Sequence, residues 1–294
     1  MEYWMMIGCI FGLYALLAIS LNMVAGEMGL MSLCHAAFFG MGAYTAALLV
    51  TKLGISPWLS SLLSPFFVAA MAAMLAIPLS RINGDFFAIA TFGLALVFFS
   101  VILHWTSLTG GAFGMVVDLA PHGTGLARNP SKILLLPICF IVLGFSLITR
   151  RWRRSPLGRV LNTIREDQTL AGSLGKRVGT QRLISFTVSA SIAGLAGVIY
   201  LWIVGIVDPS GFGVMDSVML LAMVIVGGAG SNRGSIAGAA IVVIIPELLR
   251  SVGLTGQAAA NLRQIIFGIL LYLVLLYRPK GLLGRLHVGV EQRT

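Results

Sequence analysis

The sequence predicts an all-α polytopic membrane protein, and three observations carry that expectation. First, 58% of the 294 residues are hydrophobic and only 10% are charged, against roughly 25% charged in an ordinary soluble domain. Second, runs such as 86–105, 133–148 and 265–277 are apolar on every side, so they cannot be surface helices facing water. Third, a spanning helix takes about 20 residues, which gives a chain of this length room for about 8–10 transmembrane helices. A soluble globular protein is excluded, and residues 1–294 are expected to form a single integral membrane domain with no room for a catalytic one.

In chain order, spans are expected at about 4–23, 29–50, 57–79, 86–105, 132–149, 183–205, 215–231, 234–252 and 263–278. The first run lacks a basic flank and is followed by further apolar segments, so it is read as a span rather than a cleaved signal peptide. Connections are short except for a Gly/Pro-rich stretch at 106–131 and a basic stretch at 150–182. The basic stretch holds nine Lys/Arg (Arg150, Arg151, Arg153, Arg154, Arg159, Arg165, Lys176, Arg177, Arg182) and two acids (Glu166, Asp167), hence +7 of the net +10.

By the positive-inside rule this stretch is expected in the cytoplasm, which puts the N-terminus outside and the C-terminus inside. Fifteen basic residues then fall inside and five (Lys52, Arg128, Lys132, Arg250, Arg263) outside. The basic excess therefore reports topology, and no nucleic acid is expected as a partner beside the lipid bilayer. Spans one to four and six to nine take opposite orientations, so an inverted repeat with Gly-rich interrupted helices at 26–42 and 227–238 is the further expectation.

Within the basic stretch, Ser155 and Pro156 form an N-cap and first-turn pair, followed by Leu157, Val160, Leu161 and Ile164 as an apolar stripe. Asp167 is placed to cap a second short helix through Gln168–Leu174, closed by Gly175. Only Leu170 and Leu174 are large and apolar on this thin rod, which suits a groove on a soluble partner. A topogenic basic linker explains the charge but not the capped pattern. Cys9, Cys34 and Cys139 lie in apolar runs at unrelated spacings, so no metal site, disulfide framework or cofactor is expected, and buried apolar cysteine is the simplest account.

Particular residues carry a resemblance. Leu21-Asn22, Gly26, Gly29 and Ser32-Leu33-Cys34-His35-Ala36-Ala37-Phe38-Phe39-Gly40-Met41-Gly42-Ala43-Tyr44 open it, followed by Gly84-Asp85-Phe86-Phe87-Ala88-Ile89-Ala90-Thr91 and Thr109-Gly110-Gly111. Ser155-Pro156-Leu157-Gly158-Arg159, Ile164-Arg165-Glu166-Asp167, Gly227-Gly228 and Arg278-Pro279-Lys280-Gly281-Leu282 continue it. From about 12 to 284 the chain resembles the permease subunits of branched-chain amino-acid ABC importers, of the LivM rather than the LivH type.

The resemblance implies a bacterial inner-membrane permease that works by alternating access and does no chemistry itself. Its implied partners are a second homologous permease, two ATP-binding cassette subunits and a periplasmic or extracellular substrate-binding protein. It assigns ATPase docking to Arg165, Glu166, Asp167, Leu170, Ala171, Leu174 and Gly175. The general Glu-Ala-Ala triplet falls on Thr169-Leu170-Ala171, so only Ala171 and Gly175 match it; Cys34 stands where Gly is usual, and Leu94-Ala95-Leu96 replaces a stretch that often carries a polar residue.

Polar groups inside a membrane are costly and so are functional suspects. His35 reads either as a pathway group at a helix break or as a histidine satisfied by a carbonyl freed near Gly26, Gly29 and Gly40. Asn22, Ser32, Gly40, Gly227 and Gly228 join it as pathway or helix-break residues, the glycines serving close packing and a sharp turn. Asp85, Asp208 and Asp216 are expected at solvated ends or as N-caps, and Glu247 is expected to pair with Arg250. A secondary transporter is the competing function, but none of the ten acids lies centrally in an expected span. An intramembrane protease lacks its Gly-x-Ser-x-Gly or His-Glu-x-x-His motif.

Overall fold

The computed structural model describes residues 2–82, 84–117, 130–251, 257–277 and 281–284. The helices are α1 (Glu2–Asn22), prolonged by a π turn (Met23–Glu27), α2 (His35–Thr51), α3 (Pro57–Leu79), α4 (Asp85–His104), α5 (Thr106–Thr109) and α6 (Pro130–Arg154). They continue with α7 (Pro156–Glu166), α8 (Gln168–Ser173), α9 (Val178–Val204), α10 (Val214–Gly227), α11 (Asn232–Ser251) and α12 (Gln257–Tyr277). A short antiparallel pair joins β1 (Met115–Val116) to β2 (Ile206–Val207).

Each of the nine expected spans coincides with a helix, and five helices among the described residues are long and apolar enough to cross a membrane. Helices α2 and α10 are shorter than expected. Gly29, at φ 69°, takes the chain out of the first helix, and α2 starts only at His35; Gly228, at φ 116°, ends α10 at Gly227. Left-handed backbone of this kind favours glycine, which lacks the clashing Cβ. The tail basics Arg278, Lys280, Arg285 and Arg293, and Arg128 in the Gly/Pro-rich stretch, lie outside the described residues.

Contacts fix relative directions. Gly8 lies against Leu135 and Gly12 against Ile138, while Lys132 pairs with Glu2 at 2.9 Å and Arg153 with Glu27 at 3.7 Å, so α1 and α6 are parallel. Asn22 meets Gly230 and Tyr3 donates to Glu247, so α1 and α11 are antiparallel. These directions have the parity of first, fifth and eighth crossings. Glu247 accepts from Tyr3; the side chain of its expected partner Arg250 lies outside the described residues, and the expected pair with it.

Helix α9 is the centre of the bundle, packed on α1, α2 and α3. Glycines permit the approach: a Cβ at Gly42 would stand 2.1 Å from Gly194 O, and one at Gly197 would stand 2.0 Å from Phe39 O. Small residues let backbones touch where lipid offers no hydrophobic drive between helices. Helices α4 and α6 instead turn Phe86, Ile89 and Val97, and Leu136, Phe140 and Leu143, outward. Cys139 is exposed on α6, a correction to the expectation of burial, since an apolar helix at the bundle edge presents its side chains to lipid; Cys9 and Cys34 are buried.

The packing respects an exchange of α1 with α9, α2 with α10, α3 with α11 and α4 with α12. It carries α1·α11 to α3·α9, α2·α3 to α10·α11, α2·α9 to α1·α10 and α2·α4 to α10·α12. Helices α1 and α9 also run antiparallel, since Ser20 lies by Ser189 while Met28 lies by Arg182 and Phe186. An inverted repeat requires both features.

Gly197→Val is expected to lose most folded protein, because overpacking costs about 1–3 kcal/mol or more where neither backbone can yield. Fluorescence-detected size exclusion in detergent checks this, with Gly144→Ala, where nothing lies within 4 Å of the added carbon, as the tolerated control.

Candidate functional site: a helix break tied to the basic segment

The basic segment folds as two capped helices. Ser155 Oγ accepts from Gly158 N at 3.4 Å at the start of α7, and Asp167 Oδ1 accepts from Thr169 N (2.8 Å) and Leu170 N (2.9 Å) at the start of α8. Leu161 and Ile164 are buried beneath α7, and Ala171 beneath α8. Gly175, at φ 74°, closes the second helix, whose Leu170 and Leu174 stand 52% and 62% exposed. Arg182 is buried at the start of α9 and donates to Gln168 Oε1 of α8 at 2.8 Å and to Ile82 O at 3.4 Å.

The same end of the bundle holds the break. A Cβ at Gly26 would lie 2.1 Å from Asn22 Oδ1 and 2.5 Å from Gly230 N, so only glycine fits the π turn where the two Gly-rich stretches meet. Asn22 Oδ1 accepts from Gly230 N at 2.8 Å. Arg165 Nη1 donates to Gly26 O, and Arg153 Nη1 donates to Gly230 O. Burial lowers the Arg165 guanidinium below its ordinary pKa, and neighbouring Glu166 opposes that shift. Glu27, buried beside Gly26, faces Arg153.

The irregular stretch 28–34 is held by side chains from other helices. Leu33 N donates to Thr91 Oγ1 of α4 and Ala36 N to Ser217 Oγ of α10, both at 3.1 Å. Ser32 is buried, its Oγ 3.4 Å from Cys34 Sγ. His35 is buried at the junction of α1, α2 and α9, with Nε2 2.8 Å from Ser20 Oγ and 3.3 Å from Ser189 Oγ. Those hydroxyls give their single protons to Leu17 O and Ser20 O.

The remaining glycines act by close approach. Gly40 seats the Phe212 ring, 2.6 Å from where a Cβ would stand. Gly227 packs on Gly234, and Gly228 is crossed by residues 281–284, where Leu282 N donates to Val226 O (3.0 Å) and Leu283 N to Gly227 O (2.9 Å). None of the six break residues lines an apolar space of about 710 Å³ between α2, α3 and α4, walled by Met41, Leu48, Phe67, Met71, Leu94 and Phe98. Asp208 caps the turn at Ser210 and Asp216 accepts from Gly213 N, as end positions should, and Asp85 opens α4.

Sequence reasoning passed over Glu27, Arg153, Arg182, Ser189 and Ser217. Glu27 had a signal, being the lone acid between two apolar runs. The others sit in patterns explained equally well by topology or helix packing.

A family model for the permease component of the branched-chain amino acid transport system matches residues 5–275. The chain belongs to that family. It is of the LivM type. The Escherichia coli (strain K12) high-affinity branched-chain amino acid transport system permease protein LivM is 32% identical over 92% of this chain and 68% of that protein. The LivH permease of the same organism is 28% identical over 92% of this chain and 91% of its own length. A probable LivM permease from Methanocaldococcus jannaschii is 23% identical over 93% and 91%. No solved structure matches. The permease is thus a multi-pass membrane protein whose break and basic segment form one hydrogen-bonded cluster.

Asn22→Leu leaves the Gly230 N–H buried without its acceptor, which is expected to cost about 1–3 kcal/mol. A lower unfolding midpoint in detergent, measured against Asn22→Ser, checks this.

Proposed function

We propose that the chain is one permease of an importer that carries branched-chain amino acids into the cell, by alternating access driven by ATP hydrolysis on separate subunits. The partners are a second, homologous permease, two ATP-binding cassette subunits and an extracytoplasmic substrate-binding protein. The observation that carries the proposal is the α7–α8 pair: a capped, buried-backed rod offering exposed Leu170 and Leu174 at the arginine-rich end of a membrane bundle. A topogenic linker needs no such shape.

By the positive-inside rule that end faces the cytoplasm, and the parallel course of α1 and α6 supports an N-terminus on the outer side. Glu166 and Asp167 lie at the exposed junction of α7 and α8, and Gly175 terminates the rod. The inverted exchange of helices supplies two similar halves able to rock about the break. Asn22, Ser32 and His35 lie at that break, Gly40, Gly227 and Gly228 supply close packing around it, and the pathway opens along it. A proton- or sodium-driven carrier is disfavoured by Glu27, which faces an arginine at one end of the bundle rather than a site at mid-depth.

In proteoliposomes containing the partner subunits, L-leucine uptake is expected to require ATP. Leu170→Asp with Leu174→Asp is expected to cut stimulation of ATP hydrolysis by the loaded binding protein at least tenfold. Stimulation equal to the unaltered complex would contradict docking at α8.

A further inference from the structure

Positive charge on the basic segment does not by itself explain where its arginines go. Arg150, Arg151, Arg154, Arg159 and Arg177 are exposed and satisfy the positive-inside rule where they stand. Arg153 and Arg165 behave differently. Arg165 runs inward from the last turn of α7, with its stem against Gly29, where a Cβ would come within 2.8 Å of its Cγ, and ends on Gly26 O. Arg153 leaves the last turn of α6 and ends on Gly230 O, beside Glu27.

The two acceptors belong to different halves of the molecule. Gly26 is in the break that follows α1; Gly230 is in the turn between α10 and α11. The halves touch here, through Asn22 Oδ1 and Gly230 N. The peptide of Gly230 is therefore held on one side by the first half and on the other by an arginine of the segment. A glycine break offers no side chain to grip, so a handle on it must seize backbone, and a guanidinium does so with several donors in one rigid plane.

We propose that Arg153 and Arg165 are positioning residues that tie the basic segment to both halves at the helix break, so that displacement of α7 and α8 moves the break directly. The proposal rests on the importer reading above and gives Arg165 a role different from docking. The ATPase meets Leu170 and Leu174 on the outer face of α8; Arg165 carries the movement inward. Docking and transmission are then separable in this chain. Loss of the tie leaves ATP hydrolysis running without the transport it should drive.

The readout is L-leucine transported per ATP hydrolysed by the complete complex in proteoliposomes. A defect in assembly or stability lowers both rates together and leaves this ratio alone. Arg153→Gln and Arg165→Gln are each expected to lower it about tenfold, Arg165→Lys to recover part of it, and Arg151→Gln, at an exposed position, to leave it unchanged. A ratio equal to the unaltered complex in both Arg153→Gln and Arg165→Gln, while that complex transports in an ATP-dependent manner, would overturn the tie and spare the importer reading. ATP-independent uptake by the unaltered complex would overturn the importer reading and the tie with it. Where Arg165→Gln fails to assemble, Arg165→Lys decides by the same ratio: a fall supports the tie, and no change overturns it.

Discussion

A helix that breaks inside a membrane bundle must find partners for the backbone groups it frees, because lipid supplies none and each orphan costs several kcal/mol. At Gly26 and Gly230 the partners are two guanidinium groups and one amide side chain. Much of the architecture follows from that requirement. The first helix can end in a π turn, α2 can begin late at His35, and two Gly-rich stretches far apart in sequence can lie against one another. Glu27 lies beside Arg153, so the cation brought in to serve a carbonyl has a carboxyl group beside it. A charge pair removed from water is otherwise a poor source of stability.

Hydroxyl groups secure the other side of the break. Thr91 and Ser217 accept from backbone N–H groups of the irregular stretch and the first turn of α2, while Ser20 and Ser189 both hydrogen-bond His35 Nε2. These side chains come from α1, α4, α9 and α10, so the break is where both halves converge. Close glycine contacts between α2 and α9, and between α10 and α11, bring the helices near enough for such short side chains to reach. Packing and polar satisfaction are one arrangement here, since each depends on the separation the other sets.

Local features were legible in the sequence. Apolar runs located the helices, Ser155 and Asp167 announced the starts of α7 and α8, and Gly175 announced the end. The pattern of Leu170 and Leu174 around Ala171 foretold which side chains would stand out. Features that depend on distant partners were not legible. Nothing near Arg153 says that it differs from Arg151 or Arg154, because the difference is the carbonyl it reaches on another helix. Nothing near Glu247 announces its bond from Tyr3, a contact made only when α1 and α11 lie antiparallel. Cys139 reads as a core residue until α6 is seen at the edge of the bundle.

If the arginines fasten the segment to the break, the two must travel as one body. Spin labels at Ser173→Cys, on α8, and Met31→Cys, beside the break, in a background without the three native cysteines, measure this by pulsed electron resonance in the assembled complex. The distance from Ser173 to Met31 should be the same with and without bound ATP, while that from Ser173 to Phe113, at the opposite end, changes. A Ser173 to Met31 distance that lengthens or broadens on binding ATP would show that the segment moves independently of the break.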